Sequence, residues 1–188
     1  MEADRLRWDE KYRLKSGLPS PAPSKWLWEV VSGMRLGRAW DVACGVGQNT
    51  VLLTELGWVV DAVDVSSVGL ELGRRLAGDR GGAIEWISAD LESYVPPVGV
   101  YDLVIVFRFL DRGRLPGLIH DSLRPGGLVV YETFVEGQLE RGDNHLRSPD
   151  FVLKSGELPH LMRVFRTESY AEETLTDRTV ARWTGRKV

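Results

Sequence analysis

At 188 residues, with 43% hydrophobic and 27% charged residues, the chain has the size and make-up of one ordinary globular domain with a proper core. Its 24 Lys and Arg against 27 Asp and Glu leave a net charge of −3, so there is no bulk basic field and nucleic acid is not the expected partner. One cysteine excludes an intrachain disulfide and fits a reducing compartment. No apolar run reaches membrane-spanning length, and the start (Met-Glu-Ala-Asp-Arg) lacks the apolar core of a signal peptide, so a cytoplasmic protein without membrane attachment is expected.

In chain order, residues 2–15 read as a short charged helix carrying Leu6, Trp8, Tyr12 and Leu14. Three prolines within Gly17–Pro23 then give a stiff, extended linker. Ser24 is the N-cap of a second helix reaching about Ser32. Strands are predicted near 38–43, 58–63, 83–88, 101–107 and 127–134, and helices near 48–56, 66–77 and 113–123. Strands alternating with helices imply parallel pairing and right-handed crossovers. Gly126-Gly127 signals a turn before the fifth strand, and 135–150 is a long polar loop of the kind that carries function. A short helix over 155–162 begins at Ser155, and the tail 163–187 alternates around a turn at Thr176-Asp177, as in a closing antiparallel hairpin. The whole forms one domain, 1–188: N-terminal helices and lid (1–35), cofactor core (36–134), and substrate loop with hairpin (135–188).

The chemistry concentrates in residues 39–66. A short apolar run ends in a glycine loop (Gly45, Gly47), a helix follows, and a second apolar run ends in Asp64. Strand, glycine turn, helix, strand, acid is the front half of a nucleoside-binding α/β domain. A dinucleotide fingerprint needs a third glycine where Thr50 stands, and no Gly-Lys-Ser/Thr triplet occurs for a phosphate loop. Asp41, Asp64 and Asp90 end the first three strands, and ligands of open α/β sheets sit beyond those ends. Three carboxylates converging there repel a polyphosphate and suit a ligand with sugar hydroxyls and positive charge. S-adenosylmethionine has a ribose, an ammonium and a sulfonium. Those carboxylates also raise the pKa of Cys44, which reads as a packing residue rather than a nucleophile.

These residues resemble the class I S-adenosylmethionine-dependent methyltransferases. Asp41-Val42-Ala43-Cys44-Gly45-Val46-Gly47-Gln48-Asn49 is similar to the family's first motif, Val63-Asp64-Val65-Ser66 to its second-strand acid, and Asp90-Leu91 to its adenine-side motif. Tyr101-Asp102-Leu103-Val104 matches the fourth strand, and Leu123-Arg124-Pro125-Gly126-Gly127 the turn before the fifth. The resemblance implies a doubly wound, Rossmann-like, mostly parallel seven-stranded sheet of order 3-2-1-4-5-7-6, ending in the antiparallel hairpin. It implies S-adenosylmethionine as cofactor, S-adenosylhomocysteine as product, and no metal. By the same resemblance Asp64 takes the ribose hydroxyls, Val65 lies beside the adenine, Asp90 and the Leu91 backbone meet the adenine edge, and Asp41 helps hold the methionine amino group. Gly45, Gly47, Ala43, Cys44, Asn49 and Phe107 line the same pocket.

Trp8-Asp9-Glu10-Lys11-Tyr12 is similar to a Trp-Asp-x-x-Tyr helix that lids the cofactor in small methyltransferases, which brings Trp8 and Tyr12 to the site. Arg108, Phe109, His145 and Arg147 flank the exit of the fourth strand and the long loop, where substrates enter this fold. Phe107-Arg108-Phe109-Leu110 lacks the Asn/Asp-Pro-Pro-Tyr motif of adenine and glutamine N-methyltransferases. The strongest resemblance is to the small tellurite-resistance-type methyltransferases, which share Gly-x-Gly-x-Asn and a Gly-Glu-Leu helix start like Gly156-Glu157-Leu158. Where that family carries a His-Arg pair in the hairpin, Glu172–Arg178 is acidic and has no histidine, leaving a cationic or neutral substrate open. The expectation is methyl transfer to a small molecule by a monomer or homodimer. The alternatives are an RNA or protein methyltransferase and an inactive S-adenosylmethionine-binding protein.

Overall fold

Helices α1 (Glu2–Leu14) and α2 (Lys25–Val31) precede the sheet. The computed structural model describes residues 2–14, 22–144, 146 and 148–188, so most of the proline linker and His145 and Arg147 lie outside the described residues. Ser24 caps α2 as its sequence position predicts, its side chain accepting from the Leu27 N–H. The strands form one seven-stranded sheet of order β3-β2-β1-β4-β5-β7-β6, the order the family resemblance implies. The chain divides into two compact units, Met1–Pro96 and Pro97–Val188.

In the first unit β1 (Arg38–Val42), β2 (Val59–Asp64) and β3 (Ile84–Ser88) run parallel, linked by α3 (Gln48–Glu55) and α4 (Ser67–Ala77). Parallel strands covered on both faces read as near-continuous apolar runs, and Trp40, Val42, Val60 and Ala62 are wholly buried. Leu27 and Val31 of α2, Leu53 of α3 and Leu70 of α4 complete that core. Burying a side chain of this size stabilises the fold by roughly 1.5–3 kcal/mol. The polar residues this core admits therefore need a reason to be there.

In the second unit β4 (Tyr101–Phe107) pairs parallel with β5 (Leu123–Phe134), joined through α5 (Leu115–Ser122), where Pro116 occupies the first turn. Antiparallel β7 (Thr179–Arg186) pairs with β5 and with β6 (Arg166–Thr174). β6 is the sheet edge, and its Arg, Glu and Thr side chains, almost all exposed, guard it against pairing with another chain.

Two local expectations are corrected. Gly126-Gly127 is not a turn before the fifth strand: β5 already begins at Leu123, and Arg124–Gly127 form an irregularity within it, the register shifting between Tyr101 and Leu103. Gly126 takes a left-handed φ of 77°, which a bulge of this kind favours. The short helix α6 (Glu157–Leu161) is not started by Ser155. Its N-cap is Gly156, at φ 75°, while the Ser155 hydroxyl bonds the Glu172 carboxylate. The long loop holds two 3-10 turns, Glu136–Gln138 and Pro149–Phe151.

Candidate active site

The carboxyl ends of β1 and β2 open onto the turn Ala43–Gly47. Gly45 and Gly47 adopt φ of 60° and 68°, and Ala43, where a side chain is present, adopts 53°. A non-glycine residue in this region is strained, and such strain clusters at functional loops. The turn closes through the Gly47 N–H on the Cys44 carbonyl at 2.9 Å. A Cβ on Gly47 would lie 2.5 Å from the Trp86 ring, and one on Gly73 equally close, so the two glycines form the seat of that indole.

Asp64 is 6% exposed. Its carboxylate accepts from the Gly45 N–H and the Ser66 N–H, both at 2.8 Å, which fixes it against the glycine turn. A carboxylate has about four acceptor positions, so two hydroxyl donors can still be received. Asp41 is 2% exposed and accepts from the Thr50 hydroxyl at 2.6 Å. Thr50, standing where the dinucleotide glycine would be, thus orients the first acid.

Burial pushes the Asp41 carboxyl up to about 7, against the Thr50 hydrogen bond, with the Asp64 charge adding to the rise. Asp64 is raised too, again chiefly by burial and against its bonds to Ser66 and Gly45. Cys44 is held well above its ordinary thiol value. Burial is the larger cause there, with Asp41 and Asp64 adding to it. Among the described residues no Lys or Arg pairs with Asp41 or Asp64. Asp61, three residues earlier in β2 and so on its other face, is different: Arg38 grips both of its oxygens at 3.1 Å or less. Two acids of one strand therefore have separate tasks.

Asn49 is buried, but its side-chain oxygen accepts from the Ser24 N–H at 2.9 Å. It ties α2 to α3 at the start of the loop helix. Beyond β3, Asp90 accepts from the Glu92 N–H at 2.9 Å in a turn that also contains Leu91. A pocket of about 180 Å³ lies here, lined by Glu2, Arg5, Val65, Ser88, Ala89 and Asp90.

Helix α1 lies over this region. A Cβ on Gly45 would meet the Tyr12 hydroxyl at 2.6 Å, and one on Gly69 the Tyr12 ring at 3.0 Å, so Tyr12 covers the glycine turn. Trp8 stacks on Tyr12 with centroids 5.8 Å apart and carries the Lys11 ammonium 4.1 Å from its own centroid. The residue that sequence reasoning passed over is Asp9, between them. It is 1% exposed and accepts from the Ser66 hydroxyl at 2.6 Å and the Val68 N–H at 3.2 Å, at the start of α4. A carboxylate at a helix N-terminus is favourably placed. Its signal in the sequence was only its place inside Trp-Asp-x-x-Tyr.

The second unit carries the other predicted residues. Phe107 ends β4 opposite Glu132 of β5. Arg108 leaves the strand at φ 58° and donates its N–H to the Glu132 carbonyl at 2.8 Å. The Phe109 carbonyl accepts from the Tyr131 hydroxyl at 3.1 Å. Glu132, 1% exposed, is held by Arg182 Nε at 2.8 Å and lies 3.7 Å from Arg178 Nε. Arg182 also reaches Glu173 at 2.6 Å. His145 and Arg147, the other substrate candidates, lie outside the described residues.

Residues 39–127 match the family model of a methyltransferase domain. No curated protein matches the chain by sequence. Many solved structures superpose on the chain, three of them over nearly its whole length as follows. A protein from echinomycin biosynthesis, described by conversion of a disulfide bond into a thioacetal group, is 19% identical with a TM-score of 0.75, covering 97% of this chain and 91% of its own. An Aquifex aeolicus SAM-dependent methyltransferase is 15% identical with a TM-score of 0.73, covering 94% and 98%. TehB from Haemophilus influenzae is 16% identical with a TM-score of 0.72, covering 96% and 67%. At these identities the likeness is one of fold.

Residues 39–127 therefore carry a methyltransferase domain, and the fold is that of the solved S-adenosylmethionine-dependent methyltransferases. The residues present fit that cofactor. Tyr12 covers the glycine turn as a lid would, Asp64 keeps acceptor capacity, and a pocket opens beside Val65 and Asp90.

Proposed function

We propose that this enzyme methylates a small-molecule nucleophile by in-line displacement, with its cofactor held by the first unit. The observation that carries the reading is the pair of buried acids, Asp41 and Asp64, at the glycine turn, with which no Lys or Arg pairs among the described residues. An uncompensated buried carboxylate is costly unless a ligand completes it. Asp64 is assigned to the ribose hydroxyls, Val65, Asp90 and Leu91 to the adenine, Asp41 to the methionine ammonium, and Tyr12 with Trp8 to the lid. Asn49 acts through its bond to Ser24, orienting the loop helix.

The cofactor supplies a methyl group on a positively charged sulfur whose departure needs no proton. The protein's work is to align the acceptor and to keep water out, and orientation alone can supply roughly 7–11 kcal/mol. Arg108, Phe109, His145 and Arg147 are assigned to the acceptor side. The net charge of −3 gives no bulk basic field for RNA, which supports a small acceptor. A screen of methyl acceptors following S-adenosylhomocysteine release tests this. Turnover is expected with a small molecule. Turnover only with RNA or protein would replace the acceptor class, and absence of S-adenosylmethionine binding by calorimetry would remove the reading altogether.

A further inference from the structure

We propose that Arg5 is a purine-binding residue, roofing the adenine pocket from α1, and that Asp9 positions it there. The inference rests on the cofactor reading above. Of the six residues lining the pocket, four come from the ends of β2 and β3, and two, Glu2 and Arg5, come from α1.

The Arg5 guanidinium is clamped by its edges. Nε donates to Glu2 at 3.2 Å, Nη2 also donates to Glu2, and Nη1 donates to Asp9 at 3.0 Å. Edge donors engaged in this way leave the planar face as the group's main recognition surface, and guanidinium faces stack on aromatic rings. Val65 supplies the apolar wall of the same pocket and Asp90 an acceptor. An apolar wall, a cationic plane and a carboxylate at the edge suit a flat heterocycle bearing an amino group.

Asp9 links this roof to the floor. One of its oxygens holds Arg5, and the other holds the Ser66 hydroxyl, while the Ser66 N–H donates to Asp64. The acid assigned to the ribose and the cation assigned to the purine are thus joined through the Asp9 carboxylate and the hydroxyl and backbone N–H of Ser66. Asp9 is a positioning residue and touches no ligand itself.

Calorimetry of S-adenosylhomocysteine binding to the full chain tests the assignment. Arg5→Ala is expected to weaken affinity about ten-fold. Arg5→Lys keeps the charge but lacks the plane, and should lose nearly as much. Adenosine should lose the same factor as the full ligand, since the purine is common to both. Both variants keep the Asp9–Ser66 bond that docks α1, and unchanged protection of α1 from limited proteolysis checks that it stays docked. Wild-type affinity in either variant overturns the role of the guanidinium plane. Loss for the full ligand but not for adenosine would move Arg5 to another part of the cofactor and also overturn it. If the wild-type chain binds neither ligand, the cofactor reading itself has failed, a result distinguishable from both.

Discussion

A buried acid of the second unit and the two buried acids at the glycine turn of the first are treated in opposite ways, although the first unit also pairs Asp61 with Arg38 and Asp9 with Arg5. In the second, Glu132 is 1% exposed and meets two arginines, Arg182 and Arg178, with Glu173 sharing the first. In the first, Asp41 and Asp64 are almost as buried and, among the described residues, receive neutral donors: a threonine hydroxyl and backbone N–H groups. A buried ion pair is strongly destabilising only when one partner is removed. A buried carboxylate without a cation carries its penalty permanently, and titratable groups left in that state mark functional sites. Glu132 therefore holds the hairpin, whereas Asp41 and Asp64 are kept for a ligand.

The sharpest way to break this comparison is to delete one acid from each unit. Glu132→Ala leaves two arginines facing an emptied site, and should lower stability by about 3 kcal/mol, somewhat under the usual range because both arginines retain some solvent. Urea unfolding checks this, and cofactor affinity measured below the transition should be unchanged. Asp64→Ala should do the reverse. It removes an uncompensated charge but strands the Gly45 and Ser66 N–H groups, so stability moves little. Affinity for S-adenosylhomocysteine should fall by about 2 kcal/mol, near thirty-fold. If Asp64→Ala lost stability and kept affinity, the division of tasks would be wrong.

Titration of Asp41 separates the two kinds of acid next. Its carboxyl is pushed up to about 7 in the folded protein, from an ordinary value of 3.8. The native state then holds a proton that the unfolded chain has released. The stability this group contributes is complete below pH about 4 and is lost as pH rises through about 7. Asp41→Asn should flatten that slope, which thermal melts across the interval would show. Binding of a cationic ligand should run the other way and strengthen as pH rises through the same value, because only the ionised acid attracts it. Calorimetry in buffers of different ionisation enthalpy should detect proton release on binding near pH 7, and none in Asp41→Asn.

The sequence was legible where function follows spacing. Asp41, the two loop glycines and Asp64 are fixed by the period of strand, turn and helix, and β1 to β4 fell within a residue or two of their predicted bounds. What escaped it depends on contacts between distant residues. Asp9 meets Ser66 across 57 positions, and on a helix this charged it reads as one more solvated acid. Arg5, clamped within its own helix, reads as a surface ion pair. The bulge at Arg124–Gly127 escaped because glycine pairs signal a turn whether it closes a loop or kinks a strand. The hairpin's arginine and glutamate alternation was visible, but its pairing with Glu132 needed the β5–β7 register, which sets Glu132 opposite Arg182.

The smallest effect tests whether strain in the first unit belongs to the site. Ala43 stands at φ 53° where glycine would be at ease. Its left-handed conformation costs about 1–2 kcal/mol, and a glycine there would lose about 0.5–1 kcal/mol more chain entropy on folding. Ala43→Gly should therefore raise stability by less than about 1 kcal/mol. Arg108 carries the same strain, at φ 58°, in the second unit, and Arg108→Gly gains a similar amount from the backbone alone. The two differ in what the side chain does. The Ala43 methyl is assigned no ligand contact, so Ala43→Gly should leave turnover near wild type. Arg108 is assigned to the acceptor, so Arg108→Gly should raise KM for the acceptor while S-adenosylmethionine affinity holds. Equal kinetics in the two variants would take Arg108 out of the acceptor site and leave its strain a property of the strand exit alone.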